Sequence, residues 1–271
     1  MYKEFKPVAD LQPYIQCVWV MTAAAGVQTA PERLVPDGNI ELLLNYGSHA
    51  LKSTANTPDK IELFKGSQLI GQRSTYYFTA VSGPIDVISI SFKPGGLSPF
   101  IRQPVTDITD CTVPLQYLNG FFSEMEESVF EANTLEDKVI CIQQILLREL
   151  QLNRDKVEKL NDFIPAVGLL SRYQSVAAFL RDYCIHEKKL QRGFDHYVGV
   201  APKFLQRVLR FKNAVTSLYR PGFKSLTAVA YDCGYYDQAH FTNEFKFFSG
   251  LKPKEYLQEC QNGFSEIWAG E

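Results

Sequence analysis

The chain has 271 residues, 45% of them hydrophobic and 13% aromatic, a composition that excludes disorder as the dominant state and leaves room for two packed domains. Its net charge of −2 excludes a uniformly basic nucleic-acid binder. The charge is nevertheless uneven: residues 1–154 hold 12 Lys/Arg and 17 Asp/Glu, a balance of −5, whereas residues 155–260 hold 16 and 11, a balance of +5. An acidic half beside a basic half fits a DNA-binding module joined to a separate partner domain.

Residues 14–50 read as β structure, YIQCVWV and then RLVPDGNIELLLNY. Pro36-Asp37-Gly38 marks a turn between apolar runs, most simply a hairpin, because Pro presets φ and Gly accepts the left-handed position. Further short strands are expected at 61–64, 76–80 and 87–92. Residues 1–112 therefore predict a β-rich curled antiparallel sheet or barrel, whose interior could hold a small-molecule effector. Lys93-Pro94-Gly95-Gly96 reads as a turn into a helix beginning near Leu97, since the Gly-Lys-Ser/Thr of a phosphate-cradling loop is absent.

A metal-dependent barrel enzyme is the rival reading of this half. Metal sites need clustered His and carboxylates, yet residues 1–154 contain one histidine, His49. Asp37 and Glu41 could pair as carboxylates and Cys17 could be a nucleophile, but no His lies nearby in sequence to activate either. No catalytic residue, cofactor or metal is expected. The six cysteines, Cys17, Cys111, Cys141, Cys184, Cys233 and Cys260, lack CxxC spacing and read as buried free thiols of a reducing cytoplasm. Residues 1–10 carry no signal-peptide pattern, and no apolar run of about 18 residues supports a membrane span.

Residues 113–153 change period and predict a helical linker. Thr134 is placed to cap a helix, with Asp137 three residues on. Leu135, Val139, Ile142, Leu146 and Leu150 make one apolar face, and Ile140, Ile145 and Leu147 widen it. A helix this apolar calls for burial on two sides, either within one chain or between the subunits of a homodimer.

In the basic half, residues 155–164 read as a helix stopped near Pro165. Farther on, Leu226, Val229, Ala230 and Cys233 fall at i, i+3, i+4 and i+7, Gly234 interrupts, and Phe241, Phe245 and Phe248 repeat the helical spacing. The pattern is two short helices joined by a tight turn, with Gly234 at the left-handed position and Asp237 as N-cap. At about 100° per residue, Ala239, Thr242, Asn243 and Lys246 lie roughly 100–200° from Phe241 and form a polar face suited to a DNA major groove. Leu190, Phe194, Gly199, Pro202 and Lys203 align with Phe241, Phe245, Gly250, Pro253 and Lys254 at a constant offset of 51, which marks an internal repeat. The outward face of the upstream copy carries Lys188, Gln191, Arg192 and Asp195. Arg207, Lys212 and Lys224 are candidate phosphate contacts on charge alone, and His196 and His240 flank the two polar faces.

Within residues 226–256, Ala230, Gly234, Asp237, Gln238, Phe241, Phe245, Gly250, Pro253 and Tyr256 stand where the C-terminal signature of AraC-type transcription regulators has them, and the segment closely resembles it. The resemblance implies a DNA-binding domain of two helix-turn-helix units bridged by a long helix, with Arg210 and Ala214 at linker-helix positions. It implies double-stranded DNA as partner, contacted by Lys188, Gln191 and Arg192 of the first unit and by Gln238, Ala239, Thr242, Asn243 and Lys246 of the second. The first unit departs from the pattern: its turn is one residue shorter, Leu180 and Cys184 replace a small Ala and a turn Gly, and His186 replaces a capping Ser. Asn243 stands where relatives often carry Arg. Arg33, Pro36, Asp37, Gly38, Asn39, Glu41 and Leu42, together with FKPGGLSPF at 92–100, resemble one subgroup of the same family, whose N-terminal region is compact and β-rich.

The joint expectation is an α+β chain: a β-rich sensor domain over 1–112, a helical linker or dimerisation segment over 113–153, a DNA-binding domain over 154–260 and a tail over 261–271. Its expected role is a cytoplasmic, sequence-specific transcription regulator controlled by a small molecule or a partner at the N-terminal domain. The alternative is a ligand-binding or protein-interaction module that uses its helical repeat for assembly.

Overall fold

The computed structural model describes residues 1–24, 31–54, 57–118, 120–161, 163–173, 175–220, 222 and 225–260. The expected tail, Lys224 and the side chain of Cys260 lie outside these residues. Strands β1 (Tyr2–Phe5), β2 (Ile15–Ala23), β3 (Glu32–Leu34), β4 (Ile40–Asn45), β5 (Ala50–Thr54), β6 (Thr57–Phe64), β7 (Gln68–Ile70), β8 (Tyr77–Val81), β9 (Ile85–Phe92) and β10 (Thr112–Pro114) build the N-terminal half. They form two antiparallel sheets, ordered β1-β2-β9-β4-β7-β10 and β3-β8-β5-β6. The curled-sheet expectation holds, but the two sheets do not close into a barrel.

Pro36-Asp37-Gly38 makes a turn, with Gly38 at φ +87°, but the turn closes no hairpin. β3 pairs with β8, whereas β4 pairs with β7 and β9, so the chain crosses from one sheet to the other at this point. Alternation along β4 sends Ile40, Leu42 and Leu44 into the core. There they meet Val18, Val20, Ile88 and Ile90 of the same sheet and the helices of the linker. Those helices are α1 (Gly120–Glu131) and α2 (Leu135–Leu152). Thr134 caps α2 as expected, accepting from the Asp137 amide at 3.1 Å. Val139, Ile142, Ile145 and Leu146 of α2 are buried within the one chain, while Ile140 stays 51% exposed.

The expected helix over 155–164 is instead two: α3 (Arg154–Leu160) and α4 (Phe163–Leu169). Pro165 is the third residue of α4, in the first turn, where a missing amide breaks no intrahelical bond. The remaining helices are α5 (Val176–Asp182), α6 (Glu187–Tyr197), α7 (Pro202–Tyr219), α8 (Leu226–Asp232), α9 (Gln238–Ser249) and α10 (Pro253–Cys260). α5–α6 and α8–α9 are the two repeat units, and α7 joins them. Of the cysteines, Cys17, Cys141 and Cys233 are partly buried free thiols, but Cys111 and Cys184 are exposed, contrary to the buried reading.

Candidate DNA-binding surface

Both repeat units are assembled from local signals. Ser175 and Ser225 cap α5 and α8, their hydroxyls accepting from the amides of Ala178 and Ala228 at 3.2 and 3.1 Å. Asp237 caps α9 by accepting from the His240 amide at 2.7 Å. At the matching place in the first unit, His186 Nδ1 accepts from the Lys188 amide at 3.3 Å, so an imidazole does the work of the missing serine. The inter-helix turns need a left-handed residue: Gly234 supplies φ +77° in the second unit and Cys184 φ +52° in the first. Leu180 packs into the apolar cluster of the first unit. The departures at 180, 184 and 186 therefore leave the helix-turn-helix intact.

The aromatic stripe is buried as periodicity requires. Phe241, Phe245 and Phe248 are fully enclosed with Phe211 of α7, and Leu190 and Phe194 fill the corresponding place under α6. The opposite faces are wet. Lys188, Gln191, Arg192, Gln238, Ala239, Asn243 and Lys246 are exposed and Thr242 is partly so. No described residue forms an ion pair with Lys188, Arg192 or Lys246. Other groups are engaged locally: Gln191 donates to Asp195 at 2.7 Å, Thr227 to Gln238 Oε1 at 2.8 Å and Thr242 to the Gln238 carbonyl at 2.8 Å.

Two of the charge-based phosphate candidates have protein partners. Lys212 lies 3.4 Å from Asp37 of the N-terminal domain, and Arg207 Nε donates to Glu244 Oε2 at 2.9 Å. Glu244 was missed by sequence reasoning. It lies on α9, about 60° from the phenylalanine stripe by the 100° rule, and is only 6% exposed. Arg207, Arg210 and His240 all stand within 4.0 Å of its carboxylate, and the Arg207 guanidinium also covers the Phe247 ring at 4.9 Å. This cluster ties α9 to α7. Beside it, a groove of about 760 Å³ runs from the start of α5 (Ser175, Ala177) past Lys203 and Arg207 to His240 and Asn243. It connects the first unit with the second reading helix.

The N-terminal domain touches the C-terminal ends of both reading helices and spares their wet faces. Arg33 donates from Nη1 to the Ser249 carbonyl at 2.9 Å, the last of α9, and pairs with Glu259 at 2.9 Å. Its guanidinium lies against the rings of Tyr76 and Phe78, 4.7 and 4.6 Å from their centres. Thr109 donates to the Gly199 carbonyl, just past α6, at 2.7 Å. A cation at a helix C-terminus opposes the negative end of the helix dipole.

The residues proposed for enzyme chemistry are otherwise occupied. Asp37 accepts from the Asn39 amide at 2.9 Å. Glu41 accepts from Trp19 Nε1 at 3.2 Å and from the Ser89 hydroxyl at 2.6 Å. Burial pushes the Cys17 thiol up to about 12, so a thiolate nucleophile is disfavoured. No helix among the described residues is long and apolar enough to cross a membrane.

Residues 179–259 match the family model of a helix-turn-helix domain, and residues 3–114 match that of a domain of unknown function (DUF6597). The C-terminal region is an AraC-type helix-turn-helix domain. The chain is thus a DNA-binding transcription regulator with a β-rich N-terminal domain ahead of its AraC-type module. Solved structures of ToxT from Vibrio cholerae resemble it over most of its length. A 1.65 Å structure of ToxT is 14% identical, with a TM-score of 0.46, and the match covers 88% of this chain and 97% of that one. ToxT with a bound unsaturated fatty acid is 14% identical, with a TM-score of 0.42 and coverage of 88% and 93%. ToxT bound to (E)-4-(8-methylnaphthalen-1-yl)but-3-enoic acid is 15% identical, with a TM-score of 0.45 and coverage of 88% and 98%. No curated protein matches the chain.

Proposed function

We propose that this regulator reads duplex DNA by inserting α6 and α9 into successive major grooves, under the control of a small molecule or partner at its N-terminal domain. The observation that carries this reading is that both helices bury an aromatic or aliphatic stripe and leave Lys188, Gln191, Arg192, Gln238, Ala239, Thr242, Asn243 and Lys246 at the surface. Arg192, Lys188 and Lys246 are cations of these faces with no ion-pair partner among the described residues, and Asn243 and Gln238 are the amides suited to adenine edges. α7 spans about 27 Å at 1.5 Å per residue, so with its flanking turns it can hold two helices about 34 Å apart on one side of the duplex. The groove beside Lys203 and Arg207 would take the phosphates between the two grooves.

Control is read from the contacts of Arg33, Asp37 and Thr109, which place the N-terminal domain on both units and on α7. A cytoplasmic location follows from the DNA partner. A homodimer would pair along the outer side of α2, where Ile140 is exposed; light scattering at micromolar concentration should then give twice the chain mass.

The deciding experiment is fluorescence anisotropy of the full chain with its selected duplex at several salt concentrations. Affinity should fall steeply with salt, because phosphate contacts release counterions. A salt-independent affinity would favour the assembly-module alternative.

A further inference from the structure

The two reading helices carry opposite charges at one equivalent place. Asp195 of α6 and Lys246 of α9 are related by the 51-residue offset of the repeat. Each stands about 140° from the buried residue that leads its helix, Leu190 or Phe241, at about 100° per residue, and both are exposed. A lysine on such a face meets phosphates and base acceptors. A carboxylate in the same position is repelled by the phosphates it approaches, so its presence on the first helix calls for a reason.

The carboxylate has a partner on its own stripe of the helix. Gln191, one turn earlier, donates from Nε2 to Asp195 Oδ1 at 2.7 Å. An ionised carboxylate only accepts, and an amide donates only through its nitrogen. The amide of Gln191 is therefore held with its NH2 group toward Asp195 and Oε1 turned away, because the reversed amide would set oxygen against oxygen. The second unit builds nothing equivalent. There the residues at the same offset are Thr242 and Lys246, and the Thr242 hydroxyl turns back to the Gln238 carbonyl at 2.8 Å.

With one N–H committed to Asp195, the Gln191 amide has one N–H and one oxygen left, a donor beside an acceptor. In the major groove adenine offers the matching pair, an acceptor at N7 and an amine at N6, whereas guanine offers acceptors at both N7 and O6. A glutamine free to rotate can turn its NH2 group to guanine. One held by Asp195 must first give up that hydrogen bond, leaving the carboxylate unpaired beside guanine oxygen. In water such a pair is worth only about 0.2–0.5 kcal/mol, so it does not hold the fold together. Inside an interface that excludes water, an unmatched donor or acceptor weighs more heavily.

We propose that Asp195 sets the base preference of the first unit as a positioning residue, holding Gln191 so that it reads adenine and rejects guanine. The proposal rests on the reading of α6 as a DNA-reading helix. It also makes the two half-sites chemically unlike, since Lys246, at the equivalent place in α9, only donates and suits guanine or a phosphate oxygen.

The test uses the duplex that the full chain selects from a randomised pool, with each base pair replaced in turn and affinity read by fluorescence anisotropy. Wild type is compared with Gln191→Ala, Asp195→Ala and the double variant. The position at which Gln191→Ala abolishes discrimination is the one that Gln191 reads. Wild type should prefer adenine to guanine there by about tenfold or more, and Asp195→Ala should cut the ratio to under about threefold, gaining most on the guanine duplex. Loss of a negative charge by itself would raise affinity for every duplex equally. In the Gln191→Ala background, Asp195→Ala should do only that. Should Asp195→Ala not fold, Asp195→Asn, which accepts the amide either way round, serves the same comparison. Three outcomes on bound duplex overturn this inference alone: no Gln191-dependent preference for adenine, an equal shift for all bases in Asp195→Ala, or a change of preference by Asp195→Ala that persists without Gln191. A chain that selects no duplex overturns the DNA-reading function and this inference with it.

Discussion

Where the second reading helix carries Glu244, the first carries Gly193, the residue at the 51-residue offset. A Cβ at Gly193 would stand 2.6 Å from the Phe163 ring, so α6 is fixed by close apolar contact with α4. Glu244 instead holds α9 to α7 through Arg207 at 2.9 Å. The turns differ in a parallel way, with Gly234 in the second unit and a strained Cys184 in the first. One repeat has thus been secured twice by different chemistry: the first unit leans on shape, the second on charge. The buried stripe under each helix is common to both, and it is the part that holds each helix with its polar face outward.

Breaking the charge-held side should have the largest effect. Glu244→Ala removes the acceptor of Arg207 and leaves cations crowded without a counter-charge; a loss of about 2–3 kcal/mol is expected in chemical denaturation. Next, Arg33→Ala deletes the cation over Tyr76 and Phe78 and the bond to the end of α9. It should cost about 2 kcal/mol and speed limited proteolysis of the second unit more than of the first. Thr109→Val should shift that preference toward the first unit.

Arg192→Ala and Lys246→Ala sharpen the comparison at the level of recognition. Each should weaken operator binding by about 1–3 kcal/mol in anisotropy while Tm is unchanged. If neither changes affinity, the placement of these helices on DNA is wrong. The smallest effects are expected at the turns. Cys184→Gly should be neutral to stabilising by up to about 1 kcal/mol, whereas Gly234→Ala should destabilise by about 1 kcal/mol, both read from denaturation midpoints.

The helical half was legible in the sequence because its signals are local. The phenylalanine spacing, the caps at Thr134 and Asp237 and the glycines at 199, 234 and 250 all act within a turn or two of where they stand, and the repeat doubled each signal. Cys184 was readable as a departure, but its left-handed φ depends on the helices that flank it. Glu244 was missed for a related reason. Periodicity ranks it at the edge of the apolar stripe, and only the cations of α7 make that edge an inside. The N-terminal half was legible as strands and not as sheets. Nothing within residues 36–38 says that the chain changes partner there, because pairing with β7, β8 or β9 is decided by residues more than 25 positions away. Arg33 meeting the carboxylate of Glu259 is the extreme case, a contact across 226 positions.

The turn at Pro36-Asp37-Gly38 carries a consequence for how such a chain can vary. It changes sheets, lends Asp37 to Lys212, gives the Gly38 carbonyl to Gln72 at 2.9 Å and sets Gly38 against Leu205 and Leu209. A single inserted residue there would disturb strand register and the seat of the long helix together. Tolerance of insertions should therefore be lowest at this corner, although short surface turns are ordinarily where chain length drifts most freely.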